Sequence, residues 1–207
     1  HPSGWLRPIL QLSSAMEEYR SPAGIPCGAI TGLLAATQKR IVRHMYVAPP
    51  WAARIEDPAV RRYVVLRCAL TRNVGVITTA NPSTTIQLIE TAREHLDDLL
   101  ADLADGTCRP PGGLPASAAP AARFHRAPRR ARQLARRAER DGEFRATHCW
   151  DRPICCNWTG GTLGLYLPRL RELLPGSPMR DIGLIASEGR LTLPLDDAPA
   201  AGPADVT

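Results

Sequence analysis

A short apolar segment between two helical patterns does most to limit the folds open to this chain. Val74 to Thr79, "VGVITT", is rich in β-branched residues and predicts a buried strand. Before it, Asp57 offers an N-cap carboxylate and Pro58 suits the first helical position, which predicts a helix to about Thr71. The order helix, strand, helix follows.

The second helical pattern runs through Ile86 to Leu103, where apolar residues recur every three or four positions. Asn81 or Ser83 can cap its first amides, and Gly106 fits its end. Asn81 and Ser83 also follow a strand directly, at the edge where open α/β sheets bind ligands. Asn81 and Ser83 can therefore be ordinary helix caps or residues that contact a ligand.

Alternating helices and strands continue along the chain and predict an α/β fold with helices packed on a mixed β-sheet. "RRARQLARRAER" predicts a helix, and "ICC" and Ile182 to Ile185 predict strands. Residues 109–128 are rich in Pro, Ala and Gly and predict a flexible, exposed connection. The chain then divides into residues 1–108, this connection and residues 129–207.

Composition narrows the class of protein further. The chain has 207 residues, 44% of them apolar, which is enough for one sizeable core. It has no apolar run long enough for a transmembrane helix, so we expect a protein of the cytoplasm that does not bind membranes. The six cysteines suit reduced thiols, and the spacing of His148-Cys149 and Cys155-Cys156 does not match a structural zinc site. Both ends look cut, as in a fragment of a longer polypeptide.

The positive charge is concentrated in one segment. Arg123 to Arg140 contains eight arginines against the single acid Glu139, and the rest of the chain is nearly neutral although the net charge is +6. Such a run can neutralise phosphates. Phe124 is its only aromatic residue, and no recognisable nucleic-acid module surrounds it. A solvated helix face is therefore the preferred interpretation over nucleic-acid contact.

Two glycine-containing turns carry the candidate chemistry. In "TGGT", Thr159 to Thr162, successive glycines permit unusual backbone geometry and let a planar ligand approach the main chain. Ala186-Ser187-Glu188-Gly189 follows an apolar segment, and a hydroxyl beside a carboxylate there suits a nucleotide. The hydroxyl and amides can bind phosphate oxygens, and the carboxylate can hold Mg²⁺.

Other interpretations of Ser187 and Glu188 stay open on these residues alone. A hydrolase nucleophile at Ser187 would require glycine two residues earlier, where Ile185 stands. Glu188 could act as a general acid or base, but no partner carboxylate at a fixed spacing is visible. A plain hairpin turn is also compatible, because "GRLTLPL" alternates like a returning strand.

Longer segments resemble the auxin-responsive promoter family of Gretchen Hagen-type acyl-acid amido synthetases, and specifically its bacterial members. The resemblance covers most of the chain from about Ser21 to Asp197, except the Pro/Ala-rich connection. It is carried in order by "SPAGIPCGAITG", "ARIEDPAVRRYVVLRCALTRNVGVITTANPSTTIQLIE", "DLADGTCRP", "CNWTGGTLGLYLPRL" and "MRDIGLIASEGRLTLPLDD".

The resemblance implies a central portion of an adenylate-forming enzyme. Such enzymes use ATP and Mg²⁺ to activate a small carboxylic acid as an acyl adenylate, then transfer the acyl group to an amino acid. "ASEG" matches the family's second nucleotide motif, so Ser187 would touch the phosphates or the adenylate and Glu188 would be the catalytic Mg²⁺ tether. The implied nucleotide-binding residues are Thr159, Gly160, Gly161, Ala186, Ser187, Glu188 and Gly189; the acyl-side candidates are Thr79, Asn81 and Thr162.

Two further motifs of that family do not occur in this sequence. The serine- and glycine-rich phosphate loop would precede His1, and the segment whose aspartate holds the ribose is missing, with the mobile carboxyl-terminal domain. The resemblance therefore implies a fragment whose own competence is open. A catalytically inactive truncated remnant and a basic nucleic-acid-binding module remain as alternatives.

Overall fold

A four-stranded parallel sheet organises the protein in a computed structural model that describes residues 7–12, 19–28, 39–116, 123–186, 189–195 and 204–206. Its strands are β1 (Ile9–Gln11), β4 (Val76–Thr78), β5 (Ile154–Asn157) and β6 (Met179–Asp181), and they neighbour each other in that order. All three pairings are parallel. The predicted α/β class is confirmed, but this sheet is parallel rather than mixed, because the antiparallel pairs in the described residues form separate two-stranded sheets.

Helices supply the covering layers of the sheet. The α-helices are α1 (Arg40–Arg43), α2 (Pro58–Ala69), α3 (Pro82–Glu94), α4 (Leu96–Asp105), α5 (Pro128–Asp141) and α6 (Leu167–Leu173). Short 3₁₀ helices span Pro50–Arg54, Ala146–His148 and Gly161–Tyr166. Antiparallel pairs join β2 (Tyr19–Arg20) with β3 (Pro26–Cys27), β7 (Ile185–Ala186) with β8 (Gly189–Arg190), and β9 (Thr192–Pro194) with β10 (Ala204–Val206). No helix in the described part has the length and apolarity needed to span a bilayer.

One face of the sheet lies in the core because strand side chains alternate between faces. Leu10, Ile77 and Cys155 stand in register on β1, β4 and β5, and all three are fully buried. Their neighbours along each strand are only half-buried. These buried strand residues belong to one hydrophobic cluster with residues of α2 and α3, which pack against each other.

The predicted helix starts are confirmed by side-chain caps. Asp57 accepts hydrogen bonds from the backbone N–H groups of Ala59 at 2.7 Å and Val60 at 3.3 Å. The side-chain oxygen of Asn81 accepts the N–H of Ser83 at 2.9 Å. Each cap satisfies amide donors that have no partner within the first helical turn.

The single helix predicted from Ile86 to Leu103 is wrong in one respect, because two helices cover this stretch. His95 has φ −113° and ψ 30°, outside helical geometry, and separates α3 from α4. Both α3 and α4 pack on α2, but α3 also packs on α6, whereas α4 packs most extensively on α5. Gly106 ends α4 in the left-handed conformation, φ 79°, as predicted.

The strand predicted at Ile182 to Ile185 is also wrong. The sheet strand β6 ends at Asp181, and only Ile185 and Ala186 pair further on, in the small β7–β8 ladder. The physical reason is local. The carboxylate of Asp181 accepts the N–H of Gly183 at 2.6 Å, and Gly183 adopts φ 74°, which turns the chain out of the sheet.

Both ends of the predicted connection are anchored to α2 by a fully buried arginine. Arg67 donates hydrogen bonds to the carbonyl oxygens of Thr107 at 2.8 Å and His125 at 2.9 Å. Its guanidinium carbon also lies 5.5 Å from the centre of the Phe124 ring. The strands β5 and β6, which follow the connection, join the same sheet as β1 and β4. The proposed division at 109–128 stays a prediction.

A buried carboxylate fixes the end of α4. Asp102 accepts hydrogen bonds from the Tyr63 hydroxyl at 2.8 Å, the Thr107 hydroxyl at 2.6 Å, and the Arg109 N–H at 2.6 Å and Nε at 2.9 Å. Desolvation, the largest influence, acts to raise the pKa of Asp102, but the hydrogen bonds from Thr107, Arg109 and Tyr63 together outweigh it and lower that pKa. The charged form is therefore the stabilising form.

We expect Asp102→Ala to lower the free energy of unfolding by about 2–4 kcal/mol, because it leaves the buried Tyr63 hydroxyl without an acceptor. A lowered folded-state pKa gives stability above the unfolded value of about 4 that is lost as pH falls through the folded value. The difference between the two proteins should therefore be largest above about pH 4 and shrink in more acid solution. Urea unfolding between neutral and acid pH measures it.

Asp105→Ala is the matched control, since Asp105 lies on the same helix and meets Arg109 at 3.3 Å but is 56% exposed. Its effect should stay below about 0.5 kcal/mol. Two results would contradict the role assigned to the buried carboxylate. One is an equal loss of unfolding free energy in both variants, and the other is a difference between wild type and Asp102→Ala that does not shrink in acid.

Candidate functional site

Polar side chains gather where three parallel strands end at one edge of the sheet. Cys156 of β5 pairs in register with Thr78 of β4, and Asn157 pairs with Asp181 of β6. Thr79, the residue after β4, extends the ladder by donating its N–H to the carbonyl oxygen of Cys156 at 3.1 Å. Since parallel strands end at the same edge, the segments that follow them emerge side by side. We refer to this place as the carboxyl edge.

The carboxylate of Asp181 joins two of these segments. One oxygen accepts both the N–H and the hydroxyl of Thr159, at 2.7 and 2.8 Å, and the other accepts the N–H of Gly183 at 2.6 Å. Hydrogen bonds to an ionised acceptor are stronger than neutral ones. A single side chain thus fixes the start of the "TGGT" turn against the segment that leads to "ASEG".

Trp158 makes a second connection across the edge. Its backbone N–H donates to the carbonyl oxygen of Ala80 at 3.1 Å, which ties it to the segment after β4. Its indole N–H donates to the carbonyl oxygen of Gly183 at 2.8 Å. The segments after β4, β5 and β6 are therefore connected at the carboxyl edge by Trp158 and Asp181.

The two glycines of the "TGGT" turn differ in geometry. Gly160 has φ −81° and ψ 165°, which any residue can adopt, whereas Gly161 has φ 57° and so uses the freedom of glycine. A Cβ atom on Gly161 would meet no atom within 4 Å. The main chain is therefore open to close approach at Gly161, as the sequence predicts. Thr162 follows in an exposed 3₁₀ helix.

Ala186 and Gly189 face each other as partners in the antiparallel β7–β8 ladder. The returning strand predicted by the alternation of "GRLTLPL" is confirmed to this extent. Ser187 and Glu188, the candidate catalytic residues, lie outside the described residues. Their roles stay predictions.

The two acyl-side candidates that follow β4, Thr79 and Asn81, form hydrogen bonds with neighbouring residues. Thr79 is 2% exposed, and its hydroxyl lies 3.0 Å from both the carbonyl oxygen of Asn81 and the hydroxyl of Thr85. The side-chain oxygen of Asn81 caps α3. The capping interpretation of Asn81 is thus confirmed, and a contact with a ligand remains a proposal for both residues.

Sequence reasoning missed Asp181 and Asn157. Asp181 could have been found from "DIG", because an aspartate two residues before a glycine is typical of a local turn. Asn157 is 1% exposed, and neither its amide nitrogen nor its amide oxygen has a hydrogen-bond partner among the described residues. An amide at the end of a buried strand gives no sequence signal that separates it from a loop residue.

Among the described residues, no group of three His, Cys, Asp or Glu side chains could hold a metal ion. None of the six cysteines, all of which lie in the described ranges, forms a disulfide. Burial raises the pKa of Cys149 to about 12, and His148 pairs with Asp141 at 2.8 Å. The side chains of Cys149 and His148 are both buried, and the absence of a zinc site stays a prediction.

We expect Asp181→Ala to lower the free energy of unfolding by about 2–3 kcal/mol, because three donors lose one shared acceptor. Amide hydrogen exchange at Thr159 and Gly183 should become faster, since both N–H groups lose their partner. The fluorescence of Trp158 should change as the Gly183 segment is released. Exchange measured residue by residue tests this directly.

Asp151→Ala is the control, because the exposed Asp151 lies near the opposite end of β5 and its side chain forms, among the described residues, one ion pair, with Arg152 at 3.8 Å. It should leave exchange at the carboxyl edge unchanged. The linking role of Asp181 would be refuted if its replacement left the two amides as protected as before.

The sequence and fold resemble known proteins over most of the chain. A family model described as the GH3 family N-terminal domain matches residues 2–179. Among curated proteins, no sequence matches the chain at a significant level. A solved structure titled "GH3.15 acyl acid amido synthetase" is 16% identical with a TM-score of 0.71, and covers 92% of this chain and 35% of its own.

A second solved structure, "AtGH3.15 acyl acid amido synthetase in complex with 2,4-DB", gives a TM-score of 0.72 at 16% identity, over 91% of this chain and 34% of its own. This chain thus spans about one third of the length of both structures. At this identity the likeness shows the fold, a partial adenylate-forming enzyme fold. Since the family model covers most of the sequence, the chain belongs to the GH3 family of acyl-acid amido synthetases.

Proposed function

We propose that this chain provides nucleotide-binding and acyl-binding residues of an ATP-dependent ligase that joins a small carboxylic acid to an amino acid. The observation that carries the proposal is the carboxylate of Asp181, which holds Thr159 and Gly183 together at the carboxyl edge. This bond brings the "TGGT" turn beside the segment that leads into Ala186-Ser187-Glu188-Gly189. Both turns could then contact one ligand.

In this reaction a carboxylate oxygen attacks the α-phosphorus of ATP and releases pyrophosphate, and the amino group then attacks the acyl carbon and releases AMP. The protein has to orient two charged reactants and stabilise charge that develops on phosphorus. The open main chain at Gly161 suits close approach by a planar group such as a nucleotide base. Thr159 and Gly160 would line the same approach.

Ser187 and Glu188 would act on the phosphates. Mg²⁺ is commonly held by one or two protein carboxylates together with substrate phosphates and water. The carboxylate of Asp181 already accepts three hydrogen bonds. Glu188 is therefore the candidate for the metal, with the Ser187 hydroxyl bound to a phosphate oxygen.

The acyl acid would lie on the β4 side of the edge. Trp158 ties the "TGGT" turn to Ala80, which places Thr79 and Asn81 beside it. Asn81 uses its side-chain oxygen as a cap, so its amide N–H group would be the part that meets a carboxylate. Thr162 would approach from the exposed 3₁₀ helix. We further infer a cytoplasmic location, where the six cysteines, none of which forms a disulfide, would stay reduced.

We expect Glu188→Ala in a full-length context to lower acid-dependent pyrophosphate release by about 10²-fold or more, because the metal loses its protein carboxylate. Glu56→Ala, an exposed glutamate just before α2, is the matched control and should retain activity. Normal turnover by the Glu188 variant would remove this residue from the metal role.

The 207-residue chain alone should form little acyl adenylate. Adenylyl transfer depends on several elements that position and neutralise the phosphates at once, and this chain spans about one third of its solved relatives. The release of pyrophosphate in the presence of ATP and each of a panel of carboxylic acids measures the formation of acyl adenylate. Robust ATP- and acid-dependent turnover by this chain would contradict the expectation.

A further inference from the structure

The arginines of α5 form two sets, one bonded to the rest of the protein and one exposed to solvent. Arg130 donates to the carbonyl oxygens of Leu70 at 3.2 Å and Cys149 at 2.6 Å, and Arg137 donates to that of His148 at 2.6 Å. These two half-buried side chains fasten the helix to the protein. The other set comprises Arg129, Arg132, Arg136 and Arg140, all exposed, which we call the arginine ridge.

The ridge is a straight row on one side of the helix. At about 100° per residue its four positions fall within an arc of roughly 80°, and at 1.5 Å per residue they extend about 16 Å along the axis. Together with Gln133 and Arg137 they line a shallow surface depression of about 470 Å³. The geometry is that of an elongated, positively charged strip.

The ridge has little compensating charge of its own. Within the described part of the chain, Arg129 and Arg136 have no hydrogen-bond or ion-pair partner, and Arg132 reaches only the carbonyl oxygen of Pro128, at 3.4 Å. Arg140 pairs with Asp141 at 2.8 Å. Like charges four residues apart on a helix repel each other, so an anion along the strip would relieve repulsion.

We propose that the arginine ridge binds the phosphate backbone of double-stranded nucleic acid without reading its sequence. The ridge and a duplex are complementary in charge. Duplex DNA carries a charge about every 1.7 Å of its axis, so a row of about 16 Å faces a continuous line of phosphates. Arginine guanidinium groups match phosphate oxygens in bidentate geometry.

Other features of the helix argue against other polyanions. Ala131, Leu134 and Ala138 are all packed in the core, so α5 has no apolar face left to enter a lipid surface. A flexible acidic peptide would lose conformational entropy on lying along the strip, which a stiff duplex would not. Phe124, the segment's only aromatic residue, packs against Trp51 and Arg67, so the segment offers no aromatic ring on which the bases of a single strand could stack.

The test measures binding of a fluorescent 20-base-pair DNA duplex to the whole chain by anisotropy at several salt concentrations. Four phosphate contacts predict a slope of log K against log salt of about −3 to −4, and hence about a 10²-fold weaker association at 200 mM than at 50 mM salt. Replacing Arg129, Arg132, Arg136 and Arg140 by Gln should remove most of that slope, about one unit per residue.

A variant with equal charge loss serves as the control: Arg43, Arg54, Arg72 and Arg171 are exposed arginines elsewhere, and all four are replaced by Gln. It should keep the wild-type slope. Circular dichroism and thermal unfolding of both variants establish that they are folded, and a ridge variant that is not folded is replaced by single Arg129→Gln and Arg136→Gln changes, each expected to reduce the slope by about one.

Several results would overturn the proposal. They are no binding at 50 mM salt, an unchanged slope in the ridge variant, or equal loss in the control variant. Binding to polyglutamate or to anionic lipid vesicles that is as tight and as dependent on the ridge would reject nucleic acid as the partner. None of these results bears on the ligase, because the ridge shares no residue with the carboxyl edge.

Discussion

The parallel pairing of β4, β5 and β6 is the constraint on which the candidate site depends. Because all three strands run the same way, the residues after Thr78, Asn157 and Asp181 leave the sheet at one edge. An antiparallel β5 would send the "TGGT" turn to the opposite end of the sheet. Residues that are about eighty and twenty positions apart in sequence therefore become neighbours, and hydrogen bonds then fix their relative positions.

Arginine carries much of the polar structure of this protein. Arg67 is fully buried and donates to the carbonyl oxygens of Thr107 and His125, while Arg130 and Arg137 on α5 donate to those of Cys149 and His148. The planar guanidinium can serve several carbonyl oxygens in fixed directions, which a lysine ammonium on a flexible stem does less well. Net charge therefore says little about partners until the arginines that stabilise the fold are separated from those that face solvent.

The sequence predicted which helices and strands occur better than it predicted the residues at which they begin and end. Capping by Asp57 and Asn81 and the glycine stop at Gly106 are local, so they could be predicted. The break at His95 could not, because α3 packs on α6 and α4 on α5, contacts between segments distant in sequence that the local pattern does not contain. The end of β6 depends on Asp181 accepting the N–H of Gly183, a bond that hydrophobic periodicity does not register.

The sequence likewise predicted only part of the candidate site. Motif resemblance found the two turns, since glycine and hydroxyl residues stand out in a sequence. It did not find the residue that joins them, because the tie between Asp181 and Thr159 links positions 22 residues apart and exists only once β5 and β6 pair. The site therefore depends on contacts that the register of the sheet creates as well as on the residues of the two motifs.

The carboxyl edge contains two kinds of departure from ordinary packing, and these favour a functional role for it. Asn157 buries an amide without a partner among the described residues, at a cost of about 1–3 kcal/mol that a valine would avoid. Leu165 and Leu184, which follow the two joined segments, are 81% and 58% exposed. Selection for stability alone would remove both features, so their occurrence at the edge that Asp181 organises is typical of a surface kept for binding.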